Sequence, residues 1–242
     1  ANAVKYCSAT PHFVEINKKN LSIDLIKLEK YLKKISFIKK NQCYNKKTKR
    51  RIKALVVVHL FGYSGNLNKI TSLCKKFKLK LIEDAAEAFG SYFKKKHLGT
   101  FGDLGVLSFN GNKTLTTGGG GAILTSNFGL ARKALSLITQ SKIPHKWETK
   151  FSEIGYNYRL PGLNAALGLS QIKKFKKILK AKKKLNKKYR NIFKNFKEFE
   201  FFTEPKDCRS NHWLNTIILK TNSINLRNKV LKKLNNSGIQ AR

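Results

Sequence analysis

Residues 107–124 read LSFNGNKTLTTGGGGAIL, an apolar run that ends in a turn carrying Lys113 and then four glycines, Gly118 to Gly121. Upstream, LIEDAAEAFGS puts Glu83 and Asp84 where another apolar run stops. A lysine held against buried apolar strands gives up its proton more readily than a solvated one, because desolvation disfavours the ammonium. A neutral amine can then form a Schiff base with an aldehyde. A carboxylate at a neighbouring strand end could keep a pyridinium nitrogen protonated, which preserves the ring as an electron sink. Ser108, Asn110 and Asn112 stand at or beyond the same strand end as Lys113. Hydroxyls and backbone N–H groups there could bind a phosphate. By residue type and place alone, Glu83 and Asp84 serve equally as ligand partners or as helix-capping residues. The glycines either allow a close approach or form a plain flexible hairpin.

Such residues need strands that end together. IKALVVVHL (52–60), KLIED (80–84), GVLSFN (105–110) and GAILTS (121–126) are apolar runs of the kind shown by strands buried on both faces. PHFVEIN (11–17) reads as a short strand. Helical spacing recurs in 23–35, 66–79 and 130–139. The basic stretch 39–51 reads as a surface loop. Strands alternating with helices predict an α/β domain with a mainly parallel sheet, and ligands in such sheets bind at the carboxyl ends of the strands. From Pro161 the pattern changes. Ile172, Phe175, Leu179, Leu185, Tyr189, Phe193 and Phe196 mark one side of a long, lysine-covered helix. Short strands at 199–203 and 215–220 and a helix at 225–236 predict a second, smaller α+β unit.

The 242 residues can bury a sizeable core. The net charge of +38, from 51 Lys and Arg against 13 Asp and Glu, would attract any polyanion. Most of that excess is lysine scattered along the chain, with no helix-turn-helix, zinc-finger or RNA-recognition signature, so it reads as compositional drift. A basic nucleic-acid-binding protein is the contrasting reading, and no specific nucleic-acid partner is expected. The four cysteines, Cys7, Cys43, Cys74 and Cys208, have neither zinc-site spacing nor the density of a disulfide framework. Reduced thiols, no metal and a cytoplasmic location are expected, with no membrane partner, because no run approaches the length of a span.

The segments IEDAAEAFGS, GTFGDLGVLSFNGNKTLTTGGGGAILT and GYNYRLPGLNAALGLSQI closely resemble the nucleotide-sugar aminotransferases of the DegT/DnrJ/EryC1/StrS family. The resemblance covers essentially the whole chain. ANAVKYCSATPHFVEIN, VVVHLFGYSGNL and SKIPHKWET look most like the branch that aminates a UDP-4-keto-6-deoxy-N-acetylhexosamine, which includes legionaminic-acid-type and bacillosamine-type pathway enzymes. The resemblance implies a pyridoxal 5'-phosphate enzyme with the aspartate aminotransferase fold (fold type I, three-layer α/β/α), with glutamate as amino donor and a homodimer with shared active sites. By the same resemblance Lys113 is the Schiff-base lysine and Asp84 the acid paired with the pyridine nitrogen. Glu87 stands beside the cofactor's 3-hydroxyl, Ser108 contacts the phosphate, and Asn157 reaches the phosphate of the neighbouring subunit. Residues 1–160 are then part of the large cofactor domain, and 161–242 the linking helix and the start of the small domain. Relatives also carry an earlier Ser-Gly-Thr segment and continue past GIQAR, so a fragment of such an enzyme, inactive or from a split gene, is a further expectation. Sugar dehydratases of the same fold replace the lysine with histidine, which Lys113 argues against.

Overall fold

The computed structural model describes all 242 residues. A short helix α1 (Asn2–Tyr6) and a hairpin of β1 (Ile16–Asn17) and β2 (Ser22–Ile23) lead into α2 (Leu25–Ile35). Only the last two residues of the 11–17 run are strand. Asp24 starts α2 by accepting the Lys27 N–H at 3.1 Å, an N-cap that satisfies a backbone donor with no partner inside the helix.

The expected loop at 39–51 is instead an antiparallel meander of β3 (Ser36–Lys39), β4 (Gln42–Asn45) and β5 (Arg51–Ile52). Lys40 and Asn41 turn the first hairpin with φ of 46° and 58°, the backbone of a two-residue turn whose twist suits paired strands. Cys43 points inward and is fully buried. The lysines that suggested a loop, Lys40, Lys46 and Lys47, lie in its turns.

Next come β6 (Ala54–Val58), α3 (Leu67–Lys76), β7 (Lys80–Asp84), a hairpin of β8 (Tyr92–Phe93) and β9 (Lys96–His97), then β10 (Leu104–Ser108) and β11 (Gly121–Leu124). The central sheet has the order β11-β10-β7-β6. Its β6, β7 and β10 are parallel and β11 is antiparallel. Leu55, Val57, Leu81 and Leu107 project from one face onto Leu28 and Leu32 of α2 and Leu67, Ile70 and Leu73 of α3. Fully burying each such side chain stabilises the fold by about 1.5–3 kcal/mol. On the other face the reading of strands buried on both sides is corrected: Val56, Val58, Val106 and Ile123 are 41–48% exposed. The apolar runs were right about strands, but nothing in this chain covers that face.

Helix α4 (Phe128–Ile138) and a hairpin of β12 (Lys142–Ile143) and β13 (Lys150–Phe151) precede the long α5 (Gly162–Phe193). Phe175 of α5 packs on Phe89, ring centroids 4.8 Å apart, and Tyr189 and Phe193 stack on Phe201. Ile172 and Leu185 are exposed, so the apolar stripe is only partly covered. Then β14 (Phe199–Phe201) pairs antiparallel with β16 (Ile217–Leu219), and α6 (Ile224–Asn236) follows. Between them β15 (Cys208–Arg209) leaves this unit and pairs with β8, carrying residues 208–213 back to the first part of the chain. No helix is long and apolar enough to cross a membrane.

Two histidines, His97 half-buried and His212 buried, couple this packing to pH. His97 Nε2 accepts the Gly90 N–H at 2.8 Å, and its Nδ1–H donates to the Leu98 carbonyl. Burial pushes His97 down, only partly countered by the Leu98 carbonyl and Glu83. Burial also pushes His212 down, with Arg190, Lys183 and Lys182 adding to it and Glu204 opposing. Below an ordinary histidine pKa of about 6.5 the unfolded chain therefore binds more protons than the folded one, and stability falls as pH falls. The melting temperature should drop between about pH 7 and pH 5.5. His97→Gln, whose amide oxygen can still accept from Gly90, should flatten that slope, and an unchanged slope would remove His97 as a cause.

Candidate active site

Lys113 sits on a loop whose ends are tied together. At its neck Phe109 N–H donates to the Gly120 carbonyl and Thr117 N–H to the Phe109 carbonyl, each at 2.9 Å. Lys113 N–H closes a turn onto the Asn110 carbonyl at 3.0 Å. The glycines belong to the neck rather than to the lysine. Gly120 has φ +97°, and a Cβ there would stand 2.5 Å from Leu160 Cδ1, so a side chain would be strained in backbone and in space. Asn164 of α5 braces the neck by donating to the Thr117 carbonyl at 2.5 Å.

Glu83 and Asp84, adjacent in sequence, face opposite ways because successive strand residues alternate sides. Glu83 is fully buried and accepts four hydrogen bonds: from His59 Nε2 at 2.8 Å, and from the N–H groups of Gly99, Phe101 and Gly102 at 2.8, 2.5 and 2.7 Å. Burial alone would push its carboxyl up, but the bonds from His59, Gly102 and Gly99 outweigh that and hold it below the usual range. Glu83 thus fixes the 99–102 loop that leads into β10. Asp84 is half-buried on the open face, in register with Val58 and Val106. Its Oδ1 accepts the Ala86 N–H at 3.2 Å. His59 is a site-supporting residue that the sequence reading missed. Its only signal was a histidine closing the apolar run of β6.

Glu87 reaches Lys113. Its Oε1 is 3.6 Å from Lys113 Nζ, with the two side chains 21% and 14% exposed, and its Oε2 accepts the Phe61 N–H at 2.7 Å. Phe61 and Gly62 hold φ of 54° and 80°. A Cβ on Gly62 would run into the Asn211 Oδ1 and Ser91 Oγ atoms. A third group arrives from the C-terminal part: the Trp213 ring centroid is 4.1 Å from Lys113 Nζ, and its Nε1–H donates to the Asn112 carbonyl at 2.7 Å. Sequence reasoning did not find Trp213 or Asn211, and no local pattern pointed to them.

Of the expected site residues, Lys113 and Glu87 are therefore in contact, and Asp84 ends β7 three residues before Glu87. Ser108, the last residue of β10, is half-buried, and its Oγ accepts the Asn110 N–H at 3.3 Å. Asn110 Oδ1 accepts from Gly111, and Asn112 contributes its carbonyl to Trp213. Asn157 is exposed and bridges to Thr139, away from these groups.

A lysine amine and carboxylates thus gather at the carboxyl ends of a parallel sheet, where ligands of open α/β sheets bind. The Helicobacter pylori aminotransferase PseC, described as involved in the biosynthesis of pseudoaminic acid, superposes with a TM-score of 0.86 at 29% identity, over 98% of this chain and 60% of that one. The chain belongs to the DegT/DnrJ/EryC1/StrS aminotransferase family, whose model matches residues 1–242. It is 34% identical over 237 residues to the GDP-perosamine synthase of Escherichia coli O157:H7, covering 96% of this chain and 59% of that protein. It is also 34% identical over 221 residues to a UDP-4-amino-4,6-dideoxy-N-acetyl-beta-L-altrosamine transaminase of Campylobacter jejuni, covering 91% and 51%. The chain thus spans between half and three-fifths of the length of these relatives. The cofactor of the family is pyridoxal 5'-phosphate.

Proposed function

We propose that this chain forms the cofactor-holding part of a cytoplasmic aminotransferase that moves an amino group from glutamate to the 4-keto carbon of a UDP-4-keto-6-deoxy-N-acetylhexosamine. Residues 1–160 act as part of the large cofactor domain and 161–242 as the linking helix and the start of the small domain. The observation that carries the reading is Lys113, its side chain 14% exposed and its Nζ 3.6 Å from a carboxylate that is itself anchored by a backbone N–H.

The residues present fit pyridoxal phosphate by the chemistry of the donor set: one nucleophilic amine, one carboxylate on the open face with an oxygen free of protein partners, and one hydroxyl at a strand end. When bound, the cofactor would supply an aldehyde for amine exchange and a ring that withdraws electrons from the donor's α-carbon. Lys113 would hold it covalently and, once released, carry a proton from that α-carbon. Asp84 would keep the ring nitrogen protonated, Glu87 would stand by the 3-hydroxyl, and Ser108 would bind the phosphate. In a homodimer, exposed Asn157 would reach the phosphate in the neighbouring subunit.

The test is the visible absorbance of the loaded protein. Glutamate should discharge it, and a UDP-linked 4-keto-6-deoxy-N-acetylhexosamine should restore it. Recovery with a GDP-linked 4-keto sugar instead would overturn the sugar assignment. No response to glutamate would overturn the donor.

A further inference from the structure

Trp213 joins Lys113 from the far end of the chain, and its surroundings argue for a task at that lysine. Its side chain is only 6% exposed, and its indole contacts lie around the lysine loop. Nε1–H donates to the Asn112 carbonyl, the residue just before Lys113, at 2.7 Å. The ring tilts against Phe61 at 6.3 Å, the residue whose N–H anchors Glu87. The face of an indole carries negative electrostatic potential and attracts an ammonium placed over it, and Lys113 Nζ stands 4.1 Å from the ring centroid.

The ring is held firmly enough to act as a reference point. Asn211, 1% exposed, accepts the Trp213 N–H on its Oδ1 at 2.9 Å. Its Nδ2 donates to the carbonyls of Glu87 and Phe89 at 2.8 and 3.0 Å, and its own N–H donates to Ser91 Oγ at 2.9 Å. One buried amide therefore ties together the backbone of Glu87 and that of Trp213, the two groups that flank Lys113 Nζ. A lysine stem has four rotatable bonds and would otherwise wander over many rotamers.

We propose that Trp213 is a positioning residue whose indole face holds the unengaged amine of Lys113 beside Glu87, covered on one side from water and open to an incoming carbonyl on the other. The inference deepens the reading of Lys113 as the reactive amine and rests on it. It nevertheless makes a separate claim, that the lysine is placed by an aromatic face supplied from residues 208–213.

The experiment uses the whole chain without cofactor. Acetic anhydride labels lysines in proportion to their free and accessible amine, and peptide mass spectrometry reads each site. Lys182 is the internal control, because it donates to the Trp213 backbone carbonyl at 3.2 Å and not to the indole. In Trp213→Leu, Lys113 should label about threefold to tenfold faster than in the unaltered chain. Trp213→Phe, which keeps a ring face and loses the Nε1–H, should stay near the unaltered rate. Lys182 should label equally in all three. An unchanged Lys113 rate in Trp213→Leu would overturn the proposal. So would Trp213→Phe matching Trp213→Leu, since the bond to Asn112 would then be what matters.

A second measurement avoids altering the buried ring, and it decides the matter if Trp213→Leu fails to fold or if Lys182 labels faster along with Lys113. Trp147 is 80% exposed, so a Trp147→Phe background leaves Trp213 as the only tryptophan. Adding Lys113→Met should then shift the emission of Trp213, because the cation leaves its ring. Identical spectra would overturn the contact. Neither arm involves pyridoxal phosphate, so a failed cofactor assignment and a failed positioning role give different results.

Discussion

Lys113→Arg is expected to abolish covalent capture of pyridoxal phosphate while leaving the protein folded. A guanidinium stays protonated at any accessible pH, so it offers no nucleophilic amine. It does preserve a cation for Glu87 and for the face of Trp213, the two contacts made by Lys113. The experiment must separate one specific amine from a crowd, since the chain carries 51 lysines and arginines. At equimolar cofactor, borohydride should fix the label on Lys113 alone in the unaltered chain and only as thin scatter over surface lysines in Lys113→Arg. The competitor to watch is Lys182, pushed down by burial. It has no carboxylate partner, and its Nζ donates to a backbone carbonyl. A full label on Lys182, or on any lysine in Lys113→Arg, would remove Lys113 from the role. An unchanged melting temperature for Lys113→Arg would show that the loss is chemical.

How much of this was legible follows from how local each signal is. Helices α2 and α3 were read from apolar spacing, and their caps, Asp24 and Asn66, lie within three residues of the N–H groups they satisfy. The meander at 36–52 was missed because its first turn uses Lys40 and Asn41, not a glycine-bearing pair, and because lysines crowd both its turns, at Lys40 and at Lys46 and Lys47. The strands were found but not the state of their faces. An apolar run such as ALVVV is equally consistent with one covered face or two, and here Val57 is buried while Val56 and Val58 are exposed. The roles of Glu83 and Asp84, ligand partner or helix cap, were open for the same reason, since they depend on which face carries the core.

The site itself divides in the same way. Lys113, Glu87, Asp84 and Ser108 lie on two continuous segments whose motifs resemble a family, so their neighbourhood could be expected, and Lys113 Nζ lies 3.6 Å from Glu87 Oε1. Trp213 and Asn211 lie in the segment just after β15, which pairs with β8, Cys208 opposite Phe93. A contact across 124 residues, such as that from Asn211 to Glu87, leaves no periodicity in the sequence. His59 lay between these cases. Its place at the end of β6 was visible, but not its partner on β7.

The largest contrast is expected between two neighbouring carboxylates. Asp84→Asn keeps the shape and the acceptor for Ala86 but removes a charge on the open face, where little packing depends on it. The melting temperature should hold, whereas the glutamate-driven discharge of the bound cofactor should slow on the order of a hundredfold or more, the usual cost of losing one positioned electrostatic group. Glu83→Gln should do the reverse of this. Its two oxygens accept from three backbone N–H groups and His59, and an amide must turn its NH2 toward two of those four donors. A buried donor facing donors is left unsatisfied, at about 1–3 kcal/mol for each group. At about 2–4 °C per kcal/mol for a chain of this size, the melting temperature should fall by roughly 5–15 °C. Whatever Glu83→Gln remains folded at low temperature should still capture the cofactor on Lys113. If Asp84→Asn instead lowers the melting temperature as much as Glu83→Gln while its cofactor chemistry is intact, Asp84 is a structural residue and the cofactor's ring nitrogen lies elsewhere. If Glu83→Gln melts normally, the four hydrogen bonds to Glu83 do not hold the 99–102 loop in place.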